Sequence, residues 1–442
     1  MKRFFPVVSR DGPSKRQKDE EPVCKGETDL LGPSATGAVA EESEKTSDKV
    51  GIGGASNAND RPSTGGSLLD EKKDSKDEQN LASIFRRAKS FGAGTAEAPS
   101  TSGYERTGKS PTSFMSWNTN SFIIRMKANK QEVVRFVEQH DPDVIAIQEV
   151  RLPAAGEKKG PKNRGDMSDV TNSARDEKQF MTRALAAAPF SNYRVFWSLA
   201  DGKYSGTALL VKKEMEIVGV AYCFDDILTR MVAGEGEPAS GRKGPKHEEE
   251  GRLIMVEFPE FRLLNTYGMN NGWKEETFQR RRDWDRRLLE LVQALVGGKP
   301  LIWCGDTNVS HTDLDVSHPE FFRWQKEKGY TPPRDVDVGQ PGFTQAEKDR
   351  FSEILEKGRL VDSYRHLHPK KDYETGFTWS GHPVGKYRGK RMRIDYFLLS
   401  ESLVDRLESS EIHGTGIERE GFMGSDHCPI TLRLREKLVH NA

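Results

Sequence analysis

The chain has 442 residues with 68 basic and 68 acidic side chains, so its formal net charge at pH 7 is zero. This balance excludes a protein that binds nucleic acid through overall charge, and such a function would need a local basic face. No apolar stretch approaches the length of a membrane span, so we expect no membrane contact. The four cysteines show no pair at metal-binding spacing, and Cys304 and Cys428 lie in apolar runs that predict buried, reduced thiols.

The first 110 residues differ in composition from the rest of the chain. They are rich in Gly, Ser, Lys, Glu and Asp and have no sustained apolar period. Such a segment buries too little apolar surface to offset the entropy of ordering it. We therefore predict a disordered N-terminal extension over residues 1–110 and one folded domain over residues 111–438.

Two features of this extension suggest contacts with other proteins. Basic clusters at Lys2-Arg3 and Lys15–Lys18 have the spacing of a nuclear-import signal. Within residues 79–91, five apolar side chains share one helical face, which favours a partner-binding helix that folds on contact. The alternatives are a solvated charge run and a transient helix without a partner.

The folded part shows alternating strand-like and helical patterns. Short apolar or alternating runs predict nine strands: Ser113–Trp117, Val144–Gln148, Tyr193–Ser198, Thr207–Lys212, Leu253–Phe258, Arg262–Tyr267, Leu301–Cys304, Ile394–Leu399 and Ile430–Leu434. Helical periodicity predicts four helices: Lys130–Gln139, Phe180–Ala187, Lys274–Val296 and Gln345–Glu356. This order predicts two packed sheets with helices on their outer faces.

Two polar segments interrupt these elements, and one predicted helix carries a group of arginines. Residues 156–177 and 232–251 are rich in Gly, Lys and Glu, and their length predicts mobile surface insertions. The third predicted helix carries five arginines, which we interpret as a solvated face, with a DNA-facing role as the alternative: Arg280, Arg281, Arg282, Arg286 and Arg287.

Four short polar clusters follow strand-like runs and carry the chemistry. They are Ser116-Trp117-Asn118, Ile147-Gln148-Glu149, Gly305-Asp306-Thr307-Asn308 and Gly424-Ser425-Asp426-His427. If strands end together, these carboxylates, amides and one imidazole gather at a single place. Oxygen-rich ligands with one histidine favour a hard cation such as Mg²⁺ over zinc.

Each of these residues also has a structural interpretation. Asp306 and Asn308 stand two apart and can activate water and hold a developing oxyanion, although in isolation an Asx turn or helix cap is the more common explanation of such a pair. Glu149 at the end of an apolar strand is costly unless it is paired or metal-bound. His427 can contact a phosphate if Asp395 orients its ring, or it can be a core histidine bonded to a backbone carbonyl.

From Pro111 to Leu438 the chain resembles the exonuclease III-type apurinic/apyrimidinic (AP) endonucleases of base-excision repair. These belong to the endonuclease/exonuclease/phosphatase superfamily. Besides the four clusters, the matching stretches are Asn265–Asn270, Arg282–Asp285, Gly342–Thr344, Asp362–Leu367, Arg393–Tyr396 and Gly424–Pro429. The resemblance implies a four-layered α/β sandwich with the site between the two sheets.

The implied reaction is metal-dependent hydrolysis of the phosphodiester 5′ to an abasic site in double-stranded DNA, which leaves a 3′-hydroxyl. The resemblance also implies 3′-phosphodiesterase and 3′–5′ exonuclease side activity, Mg²⁺ with Mn²⁺ as a substitute, and a monomer. It further implies a nuclear location, with a mitochondrial pool as an additional expectation.

The resemblance assigns roles residue by residue. Asp306 would be the base that prepares water, and His427, held by Asp395, would hydrogen-bond the phosphate. The implied catalytic residues are Tyr267, Asp306, Asn308, Asp395 and His427. The implied metal-site residues are Asn118, Glu149, Asp306, Asn308, Asp426 and His427. The implied substrate-binding residues are Asn120, Asn270, Trp273, Trp379, Met392 and Ile394.

The chain departs from the family pattern at three of these positions. Family members often carry Asp where Asn120 stands. Met392 takes the place of a common pocket Trp, and Trp273 the place of an Arg that enters the DNA groove. A flat Trp273 ring could instead wedge the duplex.

Two other functions compete with this one. An inositol-phosphate or sphingolipid phosphodiesterase of the same superfamily would share the chemistry of Glu149, Asp306 and His427, but the Gly342–Thr344 and Arg393–Tyr396 stretches match the DNA-repair branch. A non-catalytic DNA-binding scaffold predicts a lost metal or base residue, and none is lost. Incision of abasic against intact duplex, with Mg²⁺ or EDTA, separates these functions.

Overall fold

The computed structural model describes residues 108–156, 160, 162–168, 174–232, 246–326, 329–370 and 372–436. The predicted nuclear-import signal, the partner helix at 79–91 and residues 1–107 of the predicted disordered extension fall outside these ranges. So do residues 157–159, 161, 169–173 and 233–245 of the two predicted insertions. Residues 108–110 lie within the described ranges and contact the domain, for example through the Gly108 N–H, which donates to Glu216 Oε2 at 2.7 Å.

The strands build two six-stranded sheets and one two-stranded ribbon. The strands are β1 Ser113–Asn118, β2 Val144–Gln148, β3 Tyr193–Ser198, β4 Thr207–Lys212, β5 Gly219–Ala221, β6 Leu253–Glu257, β7 Arg262–Tyr267, β8 Leu301–Asp306, β9 Leu360–Asp362, β10 Trp379–Ser380, β11 Arg391–Met392, β12 Asp395–Ser400, β13 Leu407–Ile412 and β14 Ile430–Leu434. The first sheet has the order β13-β14-β1-β2-β4-β3, the second β5-β6-β7-β8-β12-β9, and β10 pairs with β11. The β1–β2 and β7–β8 pairs are parallel.

The longer helices flank these sheets. They are α1 Phe122–Ala128, α2 Lys130–His140, α3 Arg175–Leu185, α4 Glu275–Leu295, α5 Pro319–Arg323, α6 Gln345–Gly358 and α7 Ser363–Leu367. Single helical turns cover Phe190–Asn192, Phe224–Asp226, Asp313–Asp315, Asp335–Asp337 and Glu401–Arg406, and a π-helical segment covers Ile227–Val232. Within the described ranges, no helix is long and apolar enough to cross a membrane.

The alternation of side chains along each strand separates three cores. Phe114 of β1 and Ile302 of β8 point into the core between the sheets. Their neighbours point the other way, Met115 toward the α1–α3 side and Trp303 toward the α4 and α6 side. Successive strand residues face opposite sides of a sheet, so each sheet buries both faces. The predicted four-layered sandwich is confirmed.

Helix α4 shows why the arginine interpretation needs correction. Its apolar stripe, which includes Trp284, Leu288 and Leu291, packs on the second sheet. Arg281 is not solvated but only 3% exposed, because its guanidinium binds Asp285 at 2.8 Å. The other four arginines of this helix also pair with carboxylates.

Several elements escaped the sequence patterns for identifiable reasons. Strand β13 has the sequence LESSEI and pairs only with β14 at the sheet edge, so its outer face is polar. Strands β5 and β9 have three residues each. Helix α3 begins at Arg175, inside the predicted 156–177 insertion. The predicted strand Leu301–Cys304 ends too early, because β8 continues through Gly305 to Asp306.

The described end of the second predicted insertion packs on the first sheet through His247. Its ring stacks on Tyr222 at 4.2 Å, and its Nδ1 lies 3.0 Å from Ser198 Oγ. Burial lowers the pKa of His247 to about 3, and the charge of Arg164 adds to this effect.

This half-buried histidine predicts a loss of stability in mild acid. The unfolded chain takes up a proton near pH 6.5 and the folded one does not, so stability is present above pH 6.5 and falls as the pH drops toward 3. Between pH 7 and pH 5, His247→Gln should lose about 2 kcal/mol less unfolding free energy than the wild type. Denaturant titrations at both pH values measure this difference, and parallel losses would contradict the assignment.

Candidate active site

The ends of five strands bring the polar clusters to one edge of the sandwich. In the first sheet Asn118 ends β1 in register with Gln148 of β2. In the second sheet Asp306 ends β8 between Tyr267 of β7 and Asp395 of β12. Asp306 therefore has the phenol-bearing Tyr267 on the neighbouring strand to one side and a second carboxylate, that of Asp395, on the strand to the other side. The sequence predicted this convergence but not the register.

Two of these residues, Tyr267 and Asp306, line a cleft of about 200 Å³ at the strand ends. The lining residues are Glu149, Tyr267, Asn270, Asp306, Asn308, Gln340, Pro341, Gly342, Trp379, Met392, Ile394, Asp426 and His427. Gln340, Pro341 and Gly342 were not predicted as site residues. Gly342 stood in a stretch that matched the family, and its φ of +87° places a Cβ 3.0 Å from the Asn308 carbonyl oxygen. The match of Gly342–Thr344 to the family could have identified Gly342 from the sequence.

Asp306 is held at the centre of the cleft by amide donors. Its Oδ2 accepts from Asn118 Nδ2 at 2.8 Å and from Asn308 Nδ2 at 3.2 Å, and its Oδ1 accepts from the Asn308 backbone N–H at 2.8 Å. Burial raises the pKa of this carboxyl group to about 7, with the charge of Asp395 acting in the same direction. A carboxylate whose pKa lies near neutrality suits a general base.

His427 and Asp395 form a buried pair beside Asp306. His427 Nδ1 lies 2.8 Å from Asp395 Oδ2, and His427 Nε2 lies 3.9 Å from Asp306 Oδ2. Burial by itself lowers the pKa of the imidazole, but the charge and hydrogen bond of Asp395 outweigh it and raise the pKa to about 10. At neutral pH His427 is therefore an imidazolium, which can donate from Nε2 to an anion in the cleft.

Glu149 occupies the opposite wall and is saturated with donors. Its Oε1 accepts from Asn118 Nδ2 at 3.1 Å and from Tyr267 Oη at 2.9 Å, and its Oε2 accepts from Arg151 Nε at 2.7 Å. Burial and the charge of Glu149 raise the pKa of Tyr267, so the phenol keeps its proton. Arg151 is a contact that the sequence patterns did not indicate.

A second polar arm runs from Asn118 to Asp426. Asn118 Oδ1 accepts from the Asn120 backbone N–H at 3.0 Å. The Asn120 side chain donates to Asp426 Oδ1 at 2.8 Å, and Trp379 Nε1 donates to Asp426 Oδ2 at 3.1 Å. Asn120 thus orients Asp426 and is not itself one of the residues that line the cleft.

The remaining predicted residues divide between cleft and surroundings. Asn270 Nδ2 lies 3.3 Å from Asn308 Oδ1 at the cleft. Trp379 and Met392 pair across the β10–β11 ribbon, and with Ile394 they form an apolar wall. Trp273 lies half-buried in the turn before α4 and is not among the residues that line this cleft.

The donor set fits a hard divalent cation. Asp306, Asp395 and His427 offer ligand atoms that all lie within 4.8 Å of one another. Asp395 Oδ1 is buried, and no described residue gives it a hydrogen bond. This trio differs from the predicted metal set, in which Asp395 had only an orienting role. Glu149 and Asp426 are not part of this trio, and their oxygens accept hydrogen bonds from amide, phenol, indole and guanidinium donors.

A four-layered α/β sandwich with carboxylates, amides and an imidazolium at the edge of its sheets fits a metal-dependent hydrolase of phosphate esters. The model of the endonuclease/exonuclease/phosphatase family matches residues 115–427. The chain belongs to this family, and within it to the exonuclease III-type AP endonucleases.

Individual relatives agree with this assignment. An Arabidopsis thaliana DNA-(apurinic or apyrimidinic site) endonuclease is 55% identical over 332 residues, which are 75% of this chain and 86% of that protein. A Bacillus subtilis exodeoxyribonuclease is 28% identical over 72% of this chain and 97% of its own length. The structure of an AP endonuclease from Leishmania major has the same fold, with a TM-score of 0.52 at 22% identity over 74% of this chain and 88% of that chain.

Proposed function

We propose that this protein hydrolyses the phosphodiester bond 5′ to an abasic site in double-stranded DNA and leaves a 3′-hydroxyl. One observation carries the proposal: a general-base carboxylate, Asp306, lies 3.9 Å from the His427 imidazolium in a cleft with one apolar wall. The identity of 55% to a DNA-(apurinic or apyrimidinic site) endonuclease supports the choice of substrate.

The chain's own side chains account for the proton transfer and charge stabilisation. Asp306 accepts a proton from the attacking water, and Asn308, which donates to Asp306 through backbone and side chain, orients that water. The His427 imidazolium donates from Nε2 to a phosphate oxygen and stabilises the additional negative charge of the transition state. Asp395 keeps the imidazole oriented and charged.

Residues on both walls would hold the divalent cation. We propose Mg²⁺, held by carboxylate oxygens among Glu149, Asp306 and Asp426 with Asn118 and Asn308 alongside. The charged His427, which the resemblance also placed in the metal set, would face the phosphate instead of the ion. When bound, it supplies Lewis-acid stabilisation of the phosphate charge. The nearby Tyr267 phenol stays protonated and can donate to the phosphate or the leaving oxygen.

The apolar wall provides the selection of substrate. Trp379, Met392 and Ile394 offer room for an extruded sugar that lacks a base, and shape excludes a normal nucleotide. The similarity to a Bacillus subtilis exodeoxyribonuclease supports an accompanying action on 3′-ends. We propose that Met392, which is flexible, makes this wall tolerant of such ends.

Incision of labelled duplexes tests the function. A duplex with one abasic site should be cut in Mg²⁺ and not in EDTA, and an otherwise identical intact duplex should stay whole. If phosphate esters of inositol or sphingolipids were hydrolysed and the abasic duplex stayed intact, the superfamily chemistry would stand and the proposed substrate would be wrong.

A wider side chain at Met392 should sharpen the preference for abasic sites. We expect Met392→Trp to raise the ratio of kcat/KM on abasic duplex to kcat/KM on 3′-ends, because a rigid ring narrows the wall. Met392→Leu keeps a similar volume and serves as the control. An unchanged ratio in a Met392→Trp protein that folds would remove this residue from the selection of substrate.

Loss of Glu149 should weaken the binding of the metal and leave Asp306 able to act as the general base. Glu149→Ala should be inactive at ordinary Mg²⁺ concentration and partly recover in excess metal, because other oxygen donors remain in the cleft. A titration of incision rate against Mg²⁺ concentration measures the shift. A rate that stays at the level of the metal-free protein at every concentration would show that Glu149 has a role other than metal binding.

A further inference from the structure

Two arginines lie on either side of the Gly424–Asp426 turn at one end of the cleft. Arg125 comes from α1, and its Nη1 packs so closely on Gly424 that a Cβ there would collide with it. Arg419 comes from the turn before this segment, and its Nη2 donates to the Ser380 carbonyl oxygen at 2.5 Å. The Ser380 backbone N–H donates in turn to the Asp426 carbonyl oxygen at 3.0 Å. Both guanidinium groups are thus fixed next to Asp426.

These two arginines are incompletely satisfied. In both, Nε is buried and no hydrogen-bond partner reaches it from the described part of the chain. The single side-chain contact of Arg125 is to Asn129 Oδ1 at 3.3 Å, which carries no charge. Burial lowers the pKa of both guanidinium groups, and the charge of Asp426 opposes this effect without an ion pair. Both side chains are partly exposed, so guanidinium N–H groups other than the buried Nε are available to an anion.

The arginines of α4 provide the contrast. Each of them already binds a carboxylate, for example Arg280 with Glu250 at 2.6 Å and Arg286 with Glu290 at 2.5 Å. The oxygens of Asp426 accept from Asn120 and Trp379, and among the described residues no ion pair joins this carboxylate to Arg125 or Arg419. Of these two groups of arginines, the pair beside Asp426 is the one without a carboxylate partner among the described residues.

We propose that Arg125 and Arg419 together bind one backbone phosphate of the DNA strand that passes the Asp426 end of the cleft. The proposal rests on the proposed function, since it takes DNA as the substrate. Guanidinium groups match phosphate in geometry and charge, and a backbone phosphate positions a duplex without reading its sequence. This pair is one local basic feature of the kind that a chain of zero net charge needs in order to hold DNA.

Salt-dependent binding tests the pair without any need for cleavage. The full chain in EDTA is titrated with a duplex that carries a tetrahydrofuran abasic analogue, at several salt concentrations. The double variant Arg125→Gln/Arg419→Gln should raise Kd roughly tenfold, as expected for lost hydrogen bonds to a charged group. The slope of log Kd against log salt should fall by about 0.9, the value for one phosphate. The matching intact duplex should show the same change, because the contact is independent of sequence.

The control is Arg286→Gln, an exposed arginine whose charge is already paired with Glu290. It should leave both Kd and slope at wild-type values. A double variant with wild-type slope would overturn the proposal, even if Kd rose, because that result indicates packing rather than a phosphate contact. If Arg125→Gln prevents folding, Arg419→Gln alone decides, and it should lower the slope. A wild-type protein that fails to cut abasic DNA would instead contradict the proposed function, and the salt slopes would still be measurable.

Discussion

Asp306→Ala should lower the rate of abasic-site incision by roughly 10²- to 10⁴-fold, the typical contribution of a positioned general base. In the structure this carboxylate is the one on which Asn118, Asn308 and His427 converge. Because phosphate contacts account for most of the binding free energy, the Kd for abasic DNA should change only a few-fold. Single-turnover incision and equilibrium binding separate these two effects.

A matched control uses a buried carboxylate away from the cleft. Asp337 is 1% exposed and pairs with Arg282 and Arg334. Asp337→Asn should therefore cost stability without a selective loss of the chemical step. If Asp306→Ala retained more than about a tenth of the wild-type rate, the assignment of Asp306 as the base would be wrong.

Arg393→Met should lower the unfolding free energy by about 3–5 kcal/mol, the usual cost of breaking a buried ion pair from one side. Arg393 is 1% exposed, and its guanidinium binds Asp315 at 2.8 Å and Asp362 at 2.6 Å. Arg365 also binds Asp315, so the uncompensated charge falls mainly on Asp362. Denaturant unfolding of the full chain measures the loss.

The control for this prediction is an exposed arginine on a helix. Arg286→Met removes the Arg286–Glu290 pair, whose side chains are 59% and 51% exposed, and it should cost no more than about 0.5 kcal/mol. Comparable losses in the two variants would contradict the account. Arg393 directly precedes Ile394 and Asp395, so residual incision by the folded fraction also reports how far the cleft depends on this pair.

The sequence predicted the layers and the converging strand ends because both depend on local patterns. Alternation along β1 and β8 gives two buried faces, and polar residues at strand ends gather where sheets end. The register is different, since Asp306 opposite Asp395 depends on pairing between strands 89 positions apart. That register turns Asp395 from an orienting residue alone into a neighbour of the base.

Other features could not be predicted because they depend on tertiary partners. Arg281 has the same local pattern as its solvent-facing neighbours, and only the position of Asp285 and the α4 packing explain its burial. Arg151 meets Glu149 because both residues adopt positive φ angles of 54° after β2. The polar edge strand β13 carries no apolar alternation and forms because β14 pairs with it.

The central claim is hydrolysis of the phosphodiester 5′ to the abasic site, and its most direct test is the chemical nature of the DNA ends that incision produces. A duplex with one natural abasic site, cut in Mg²⁺, should give a 3′-hydroxyl that a DNA polymerase extends without further processing. The other fragment should keep the base-free sugar on its 5′-phosphate. Cleavage on the 3′ side of the abasic sugar, or incision that persists in EDTA, would contradict hydrolysis by the Asp306 site.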